Sequence, residues 1–390
     1  MNQQLHKHRQ ELLTNIPKDA TAILVAGNAP LNRNADTTYP FRQDSNILYL
    51  SGITLPNIAL YIDTKTGNSY LVLPRHTKVE IKFDDVHEYE YAATAAGLNG
   101  CITQTELLVR LQKLSKKGEV LFNKPARARS HGQYANPYRR YWLNRLTKAG
   151  IVPIDVRPYV AAMRMIKKPH EIAAITSAVQ VTQTVLSKYI NNPAELVGRT
   201  ETSVANEITA AFYENNMMNA YQPIVATDQN AVIVHHAPSD TPIKTGAGLL
   251  FDVGAEHCGY AADISRTIVV GHNQKLQMLI DDVAAVQANI IASLKPGIFW
   301  KDIQLQAQTQ LLDVAKKHAL ITQEPVQTVF PYAIGHHVGL DVHDAADYSL
   351  PLSEGMVITI EPGLHSRKHS IGIRIEDDVV ITKNGAKILE

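Results

Sequence analysis

Through the first 150 residues, short apolar runs alternate with polar stretches. AILVAG (22–27), NILYLSG (46–52), IALYID (58–63) and SYLVL (69–73) read as strand-type runs closed by Gly, Asp or Pro. Around 2–14 and 104–116 the apolar positions fall at helical spacing. This mixture predicts an α/β N-terminal domain. A boundary follows in MRMIKKPHEIAAI (163–175). There Lys167 and Lys168 read as exposed, and Pro169 suits the first position of a helix with Glu171 favourable in its first turn. Ile172, Ile175, Val179, Leu186 and Ile190 give that helix an apolar face. Further helices are predicted near 200–216, 274–294 and 301–318. Strand patterns occupy LLFDVGA (249–255), ISRTIVV (264–270), MVITIEPG (356–363) and IGIRIEDDVVIT (371–382). The second half is therefore α+β with mostly antiparallel strands, and the domains are expected at 1–166 and 167–390. There is no internal repeat or low-complexity tract.

Composition narrows the class. The 38 basic and 37 acidic side chains nearly cancel, so nucleic acid and membrane surfaces are not expected partners. The arginines and aromatics of ARARSHGQYANPYRRYW (126–142) read better as a solvated loop leading into an amphipathic helix or subunit contact than as a nucleic-acid surface. Cys101 and Cys258 are the only cysteines, which gives no disulfide framework and points to a reducing cytoplasm. The N-terminal MNQQLHKHRQELL is too polar for a signal peptide, and no apolar run approaches bilayer length. Dinucleotide, phosphate-loop and serine-elbow motifs are missing.

The anomaly lies in the later strands. Asp252 follows Leu249, Leu250 and Phe251; Asp263 precedes Ile264; Glu361 ends VITI; Glu376 sits inside IRIEDDVV. A carboxylate in a buried strand is unfavourable by several kcal/mol unless paired or bound to a cation. One such acid is commonly a hydrogen-bonded core residue. Four acids, with the histidine-rich AIGHHVGLDVHD (333–344) among them, point to a shared cation. Oxygen-rich ligation with a single imidazole favours Mn²⁺, with Co²⁺, Mg²⁺ or Zn²⁺ as other occupants. Four acids also suffice to bridge two cations. Arg374 and Glu376 stand two apart, on one strand face, so the arginine can orient the glutamate or hold a substrate carboxylate.

Taken in order, FDVGAEHCGYAADISRT, GHHVGLDVHD, ITIEPGL and GIRIEDDVVIT resemble the pita-bread metallopeptidases, in their aminopeptidase P and prolidase branch. ADTTYPFRQDSNILYLSG (35–52) is similar to the non-catalytic N-terminal domain of that branch, the creatinase/aminopeptidase P N-terminal type. The resemblance implies a catalytic domain with a curved, mostly antiparallel sheet and two divalent cations. It implies that Asp252 binds one ion, that His336 and Glu361 bind the other, and that Asp263 and Glu376 bridge both. The intervals of eleven between Asp252 and Asp263, and of seven between His336 and His343, fit the family pattern. His343 and His235 would then donate to the developing oxyanion or shuttle a proton, and Glu361 would accept the proton of the attacking water. His235, Arg374 and Tyr332 would meet the substrate. Tyr332 stands where the family usually has a further histidine, four residues before His336. His236 and His337, each beside a functional histidine, are expected to face the other way as in a strand, and Cys258 to be a turn or core residue.

The implied function is that of an Xaa-Pro aminopeptidase acting on peptides with proline in second position. A prolidase, limited to dipeptides, shares all five ligand types. A methionine aminopeptidase fits less well because of the extra N-terminal domain. A metal-free binding module or creatinase-like amidinohydrolase need not retain the ligands. A homodimer or homotetramer is expected from the resemblance alone.

Overall fold

A computed structural model describes residues 2–76, 82, 88–125 and 136–390. Residues 126–135, within the 126–142 segment expected to open with a solvated loop, lie outside them. The chain divides into two compact units, Met1–Met163 and Arg164–Glu390.

The first unit is built on a six-stranded mixed sheet. Its order is Cys101–Ile102, Ser69–Val72, Ala59–Asp63, Ala20–Ala26, Glu119–Phe122, Ile154–Asp155. Ala20–Ala26 runs antiparallel to Ala59–Asp63 and parallel to Glu119–Phe122. All but one of its residues are buried, as an unbroken apolar run in a central strand requires. The helix Gln104–Leu114 begins with a capping box between Thr103 and Glu106, and Pro137–Lys148 begins on Asn136 with Pro137 in its first turn.

One strand expectation fails here. NILYLSG forms the helix Ser45–Ser51. Periodicity does not separate a short apolar run in a helix from one in a strand. The flanks decide it: the Asp44 carboxylate accepts from the amides of Asn46 (3.0 Å) and Ile47 (3.3 Å), and Gly52 closes the end at φ 64°.

In the second unit, the helix Pro169–Asn191 starts where proline predicts, and Ile175, Val179 and Leu186 face inward. Lys167, expected to be exposed, is instead only 4 % exposed because Asp344 pairs with it. All strand pairs in this unit are antiparallel. The sheet is divided into short segments. Gly248–Val253 lies between Ile224–Thr227 and Ile264–Val269, while Asp377–Thr382 lies between Val357–Ile360 and Gly385–Ile388. Gly363–Ser366 pairs with Ile371–Arg374. Isolated bridges between Ser265 and Glu376 and between His337 and Ile358 stitch the segments.

The helices Gln274–Ser293 and Trp300–Lys317 cover the sheet. Val283, Val286 and Ile290 on one, and Ile303, Ala307 and Leu311 on the other, share a core with Ile358, Ile360, Ile373 and Val379. Each fully buried Val or Ile there contributes about 1.5–3 kcal/mol. Among the described residues, no helix is long and apolar enough to cross a membrane.

Replacing Asp44 with Ala removes the cap that distinguishes Ser45–Ser51 from a strand. The expected loss is about 1 kcal/mol in the stability of the first unit, read by urea denaturation. An unchanged midpoint would show that the cap does not hold this helix.

Candidate metal centre

The acids arrive on separate elements. Asp252 lies in Gly248–Val253, opposite Ile224 on one side and Ser265 on the other. Asp263 stands one residue before Ile264–Val269, and Glu361 one residue after Val357–Ile360. Glu376 falls in the break between Ile371–Arg374 and Asp377–Thr382, where its amide donates to the Ser265 carbonyl at 3.0 Å. His336 has no regular ladder, but Thr359 grips it from both sides. The His336 amide donates to Thr359 Oγ1 (3.0 Å), and the Thr359 amide donates to the His336 carbonyl (2.8 Å). Gly335 permits this approach, since a Cβ there would lie 2.0 Å from the Thr359 carbonyl oxygen.

These elements bring together all five residues. Asp252, Asp263 and Glu376 form one group whose donor atoms lie within 4.8 Å of one another, and His336, Glu361 and Glu376 form a second. Glu376 belongs to both. Asp263 also reaches the second group, with Oδ2 3.4 Å from His336 Nε2, and Glu361 Oε1 lies 3.7 Å from the same nitrogen. His336 Nδ1 donates to the His337 carbonyl at 3.1 Å, which leaves Nε2 turned toward the acids.

The charge balance is unusual. Four buried or half-buried carboxylates share the site with one arginine. Arg374 is 1 % exposed; its Nη2 pairs with Asp252, and its Nε donates to Ser265 Oγ at 2.9 Å. The Ser265 hydroxyl in turn donates to Glu376 Oε2 at 2.6 Å. Burial raises Asp252 above the usual carboxylate range despite Arg374. Burial, reinforced by Asp263 and Glu361, raises Glu376 well above it. Glu361 is pushed up to about 7 by burial against the pull of His336 and Arg374. Burial opposes a charged His336, yet Asp263 and Glu361 outweigh it and lift the imidazole to about 9. Protons and one imidazolium thus hold this site together when nothing else neutralises it. His343 joins Asp263 and His336 in a further group of donors, and the carboxylate-rich set with its imidazoles fits divalent cations.

Tyr221 shows the same excess of negative charge. Its hydroxyl stands 2.6 Å from Asp252 Oδ1 and 2.5 Å from Asp263 Oδ1. A phenol has one proton to offer the two carboxylates, and burial raises Asp252 above the usual carboxylate range. Asp378 lies behind, its Oδ2 accepting from the Asp263 amide at 3.0 Å.

Two imidazoles stand at the open side. His343 is exposed, with its ring 4.0 Å from that of His336. Partial burial and the His336 charge hold it down at about 4. His235, also exposed, lines a cavity of about 250 Å³ with Tyr221, Asp252, Asp263 and His343. The segment carrying His235 is a 3₁₀ turn and loop rather than a strand. Its neighbour His236 nevertheless points away, with Nε2 2.9 Å from Glu201 Oε2. Glu201 is fully buried and also accepts from the Thr227 amide (2.7 Å), Asn230 Nδ2 (3.0 Å) and the Ser239 hydroxyl (2.7 Å), which ties down the whole loop. His337 is buried against Trp300 and Tyr348, and Cys258 occupies a turn at φ 51°. The Tyr332 hydroxyl lies 3.1 Å from His365 Nε2, whose other ring nitrogen faces the Ala231 carbonyl at 2.9 Å.

Sequence reasoning missed Tyr221, Ser265, Asp378 and Glu201. Asp378 was signalled: two residues beyond Glu376, it repeats an acid at the strand period. Ser265 stands two before Thr267 in a strand, and nothing in MMNAYQPIVA distinguishes Tyr221 from a core aromatic.

Comparison with known proteins gives the family of each part of the chain. Residues 173–383 match the model of metallopeptidase family M24, and residues 5–122 match that of the aminopeptidase P N-terminal domain. The chain is 30% identical to the Xaa-Pro aminopeptidase of Haemophilus influenzae, over 95% of this chain and 90% of that protein. It is 34% identical to the Xaa-Pro dipeptidase of Pyrococcus horikoshii, but over 58% of this chain and 63% of the relative. Among solved structures, aminopeptidase P from E. coli with the inhibitor Pro-Leu superposes with a TM-score of 0.85 at 26% identity, covering 100% of this chain and 94% of that one.

The raised His336 value has a consequence for stability. Between pH 6.5 and 9 the folded metal-free protein keeps a proton that the unfolded chain has released, so its stability falls as pH rises. The drop should be roughly 3 kcal/mol across that window, and the elevated Glu376 acts with the same sign. Thermal unfolding of chelator-treated protein at several pH values reads it. Metal-loaded protein should lose the fall, whereas a flat or rising profile without metal would contradict the charge balance described above.

Proposed function

The chain belongs to metallopeptidase family M24, and from that premise we propose that it is an Xaa-Pro aminopeptidase, removing the first residue from peptides with proline in second position. The observation that carries this is the convergence of Asp252, Asp263, His336, Glu361 and Glu376 into two donor groups sharing Glu376. We assign Asp252 to one cation, His336 and Glu361 to the other, and Asp263 and Glu376 to both. Mn²⁺ suits the oxygen-rich set best, with Co²⁺, Zn²⁺ and Mg²⁺ as other occupants. When bound, two such cations supply Lewis acidity and acidify water to near neutrality.

The side chains do the remaining work. Glu361 accepts the proton of the attacking water. His343 and His235, on the exposed side of the acids, donate to the developing oxyanion and to the leaving nitrogen. An Xaa-Pro bond is a tertiary amide with no N–H, so its nitrogen must take a proton to leave. His235, Arg374 and Tyr332 contact the substrate in this reading. It is supported by the buried Arg374 Nη1, which makes no hydrogen bond among the described residues, and by Tyr332, a half-buried residue whose hydroxyl lies 3.1 Å from His365 Nε2. Two free cysteines suit the reducing cytoplasm. The homo-oligomer rests on the family resemblance alone.

A prolidase is the second reading, favoured by the dipeptidase relative. End-to-end similarity to an aminopeptidase, through both units, weighs against it. Mn²⁺-loaded protein should cleave Xaa-Pro-Xaa tripeptides, and cleavage of Xaa-Pro dipeptides alone would establish the prolidase. Complete chelation should abolish hydrolysis, and hydrolysis that survives it sinks the two-cation reading. His336→Ala should lose metal and activity together. His343→Ala should keep its metal and lose about 10²–10⁴-fold in kcat. A His343→Ala enzyme with unaltered turnover would remove that residue from the mechanism.

A further inference from the structure

His343 has a demanding position and no secondary structure to provide it. Residues 338–345 hold a run of bends at 339–343 and no regular ladder. Four backbone hydrogen bonds pin it: the Val338 amide to the Val357 carbonyl (3.0 Å), Gly339 to Asp341 (3.1 Å), Asp344 to His337 (2.8 Å), and the Ala261 amide to the Gly339 carbonyl (2.8 Å). None of these is made by His343 itself.

The adjacent residue anchors the loop. The Asp344 side chain is 1% exposed, and both its oxygens are gripped by cations. Lys167 Nζ, also 1% exposed, donates to Oδ2 at 3.0 Å, and Arg164 Nη2 donates to Oδ1. The same Arg164 nitrogen reaches Asp341 Oδ2 at 2.7 Å, so it clasps both ends of the turn that contains His343. Lys167 is itself fixed, since its amide donates to the Gly355 carbonyl at 2.9 Å. Gly339 makes room for the pair: a Cβ there would lie 2.2 Å from Asp344 Oδ2 and 3.1 Å from Lys167 Cε. Removing one partner of such a pair leaves a buried charge uncompensated, so the Asp344 carboxylate is held to the place where its two cations meet.

We propose that Arg164 and Lys167 are positioning residues for His343, holding its loop through Asp344 so that the imidazole stays against His336. This rests on the catalytic role given to His343 above. Neither cation touches substrate. A displacement of about 1 Å at a proton-donating group can lower turnover by about 10²-fold, and that is the effect a loosened clasp produces.

A double-mutant cycle separates positioning from general support. Lys167→Met, with Arg164 still on Asp344, should keep its metal and its KM while kcat falls about 10–100-fold. Lys167→Arg should recover most of the loss. In a His343→Ala background, Lys167→Met should cost less than about 3-fold, because the group it positions is gone. Equal losses in both backgrounds, or no loss in either, overturn the proposal. If Lys167→Met does not fold, the charge-balanced Lys167→Met/Asp344→Asn protein takes its place in the cycle with the same expectations. A crystal structure of the variant gives a readout independent of activity. The His336–His343 ring separation, 4.0 Å here, should widen by about 1 Å, and an unchanged separation overturns the proposal. Wild-type protein inactive on every proline peptide would instead overturn the functional reading, leaving the structural measurement to decide the clasp.

Discussion

Negative charge packed into a space too small for it is the constraint on which the second unit depends. Asp252, Asp263 and Glu376 present donor atoms within 4.8 Å of one another, Glu361 joins Glu376 and His336 in an adjoining group, and among the described residues Arg374 is the permanent cation paired with Asp252. Carboxylates in such a place do not all remain ionised unless something positive joins them. Without metal, the compensation comes from raised carboxyl values and from an imidazolium at His336. Two divalent cations would replace those protons, and they match the donors in number and kind.

Around this acidic floor the residues divide by how they are held. The carboxylates sit in strands or one residue from them, where the ladder and the bridge between Ser265 and Glu376 fix them. The imidazoles His235 and His343 sit in loops at the exposed side. Each of those loops closes on one buried carboxylate, Glu201 for the first and Asp344 for the second. The four carboxylates thus take ladder or ladder-adjacent backbone, while the two exposed imidazoles lie on segments anchored at one deep point.

Much of this was legible along the chain, for a definite reason. An acid after three apolar residues is unfavourable in a core, so LLFD and VITIE announced their function by breaking a pattern. A helix start was legible where a proline marked it, at Pro169, and the helix at Gln104–Leu114 from its apolar spacing. The helix at Ser45–Ser51 was misread because its apolar run is too short for a period, and its signals lay in Asp44 and Gly52. Lys167 was misread because a lysine is exposed by default, and its partner Asp344 stands 177 residues away. Tyr221 could not be found at all, since its role exists only where Asp252 and Asp263 meet.

The central claim is that these five side chains form one site for two cations. Anomalous diffraction from crystals grown with Mn²⁺ tests it most directly. The account predicts two peaks, one among Asp252, Asp263 and Glu376 and the other among His336, Glu361 and Glu376, with Glu376 and Asp263 in contact with both. A single peak, or manganese bound away from these residues, would contradict it.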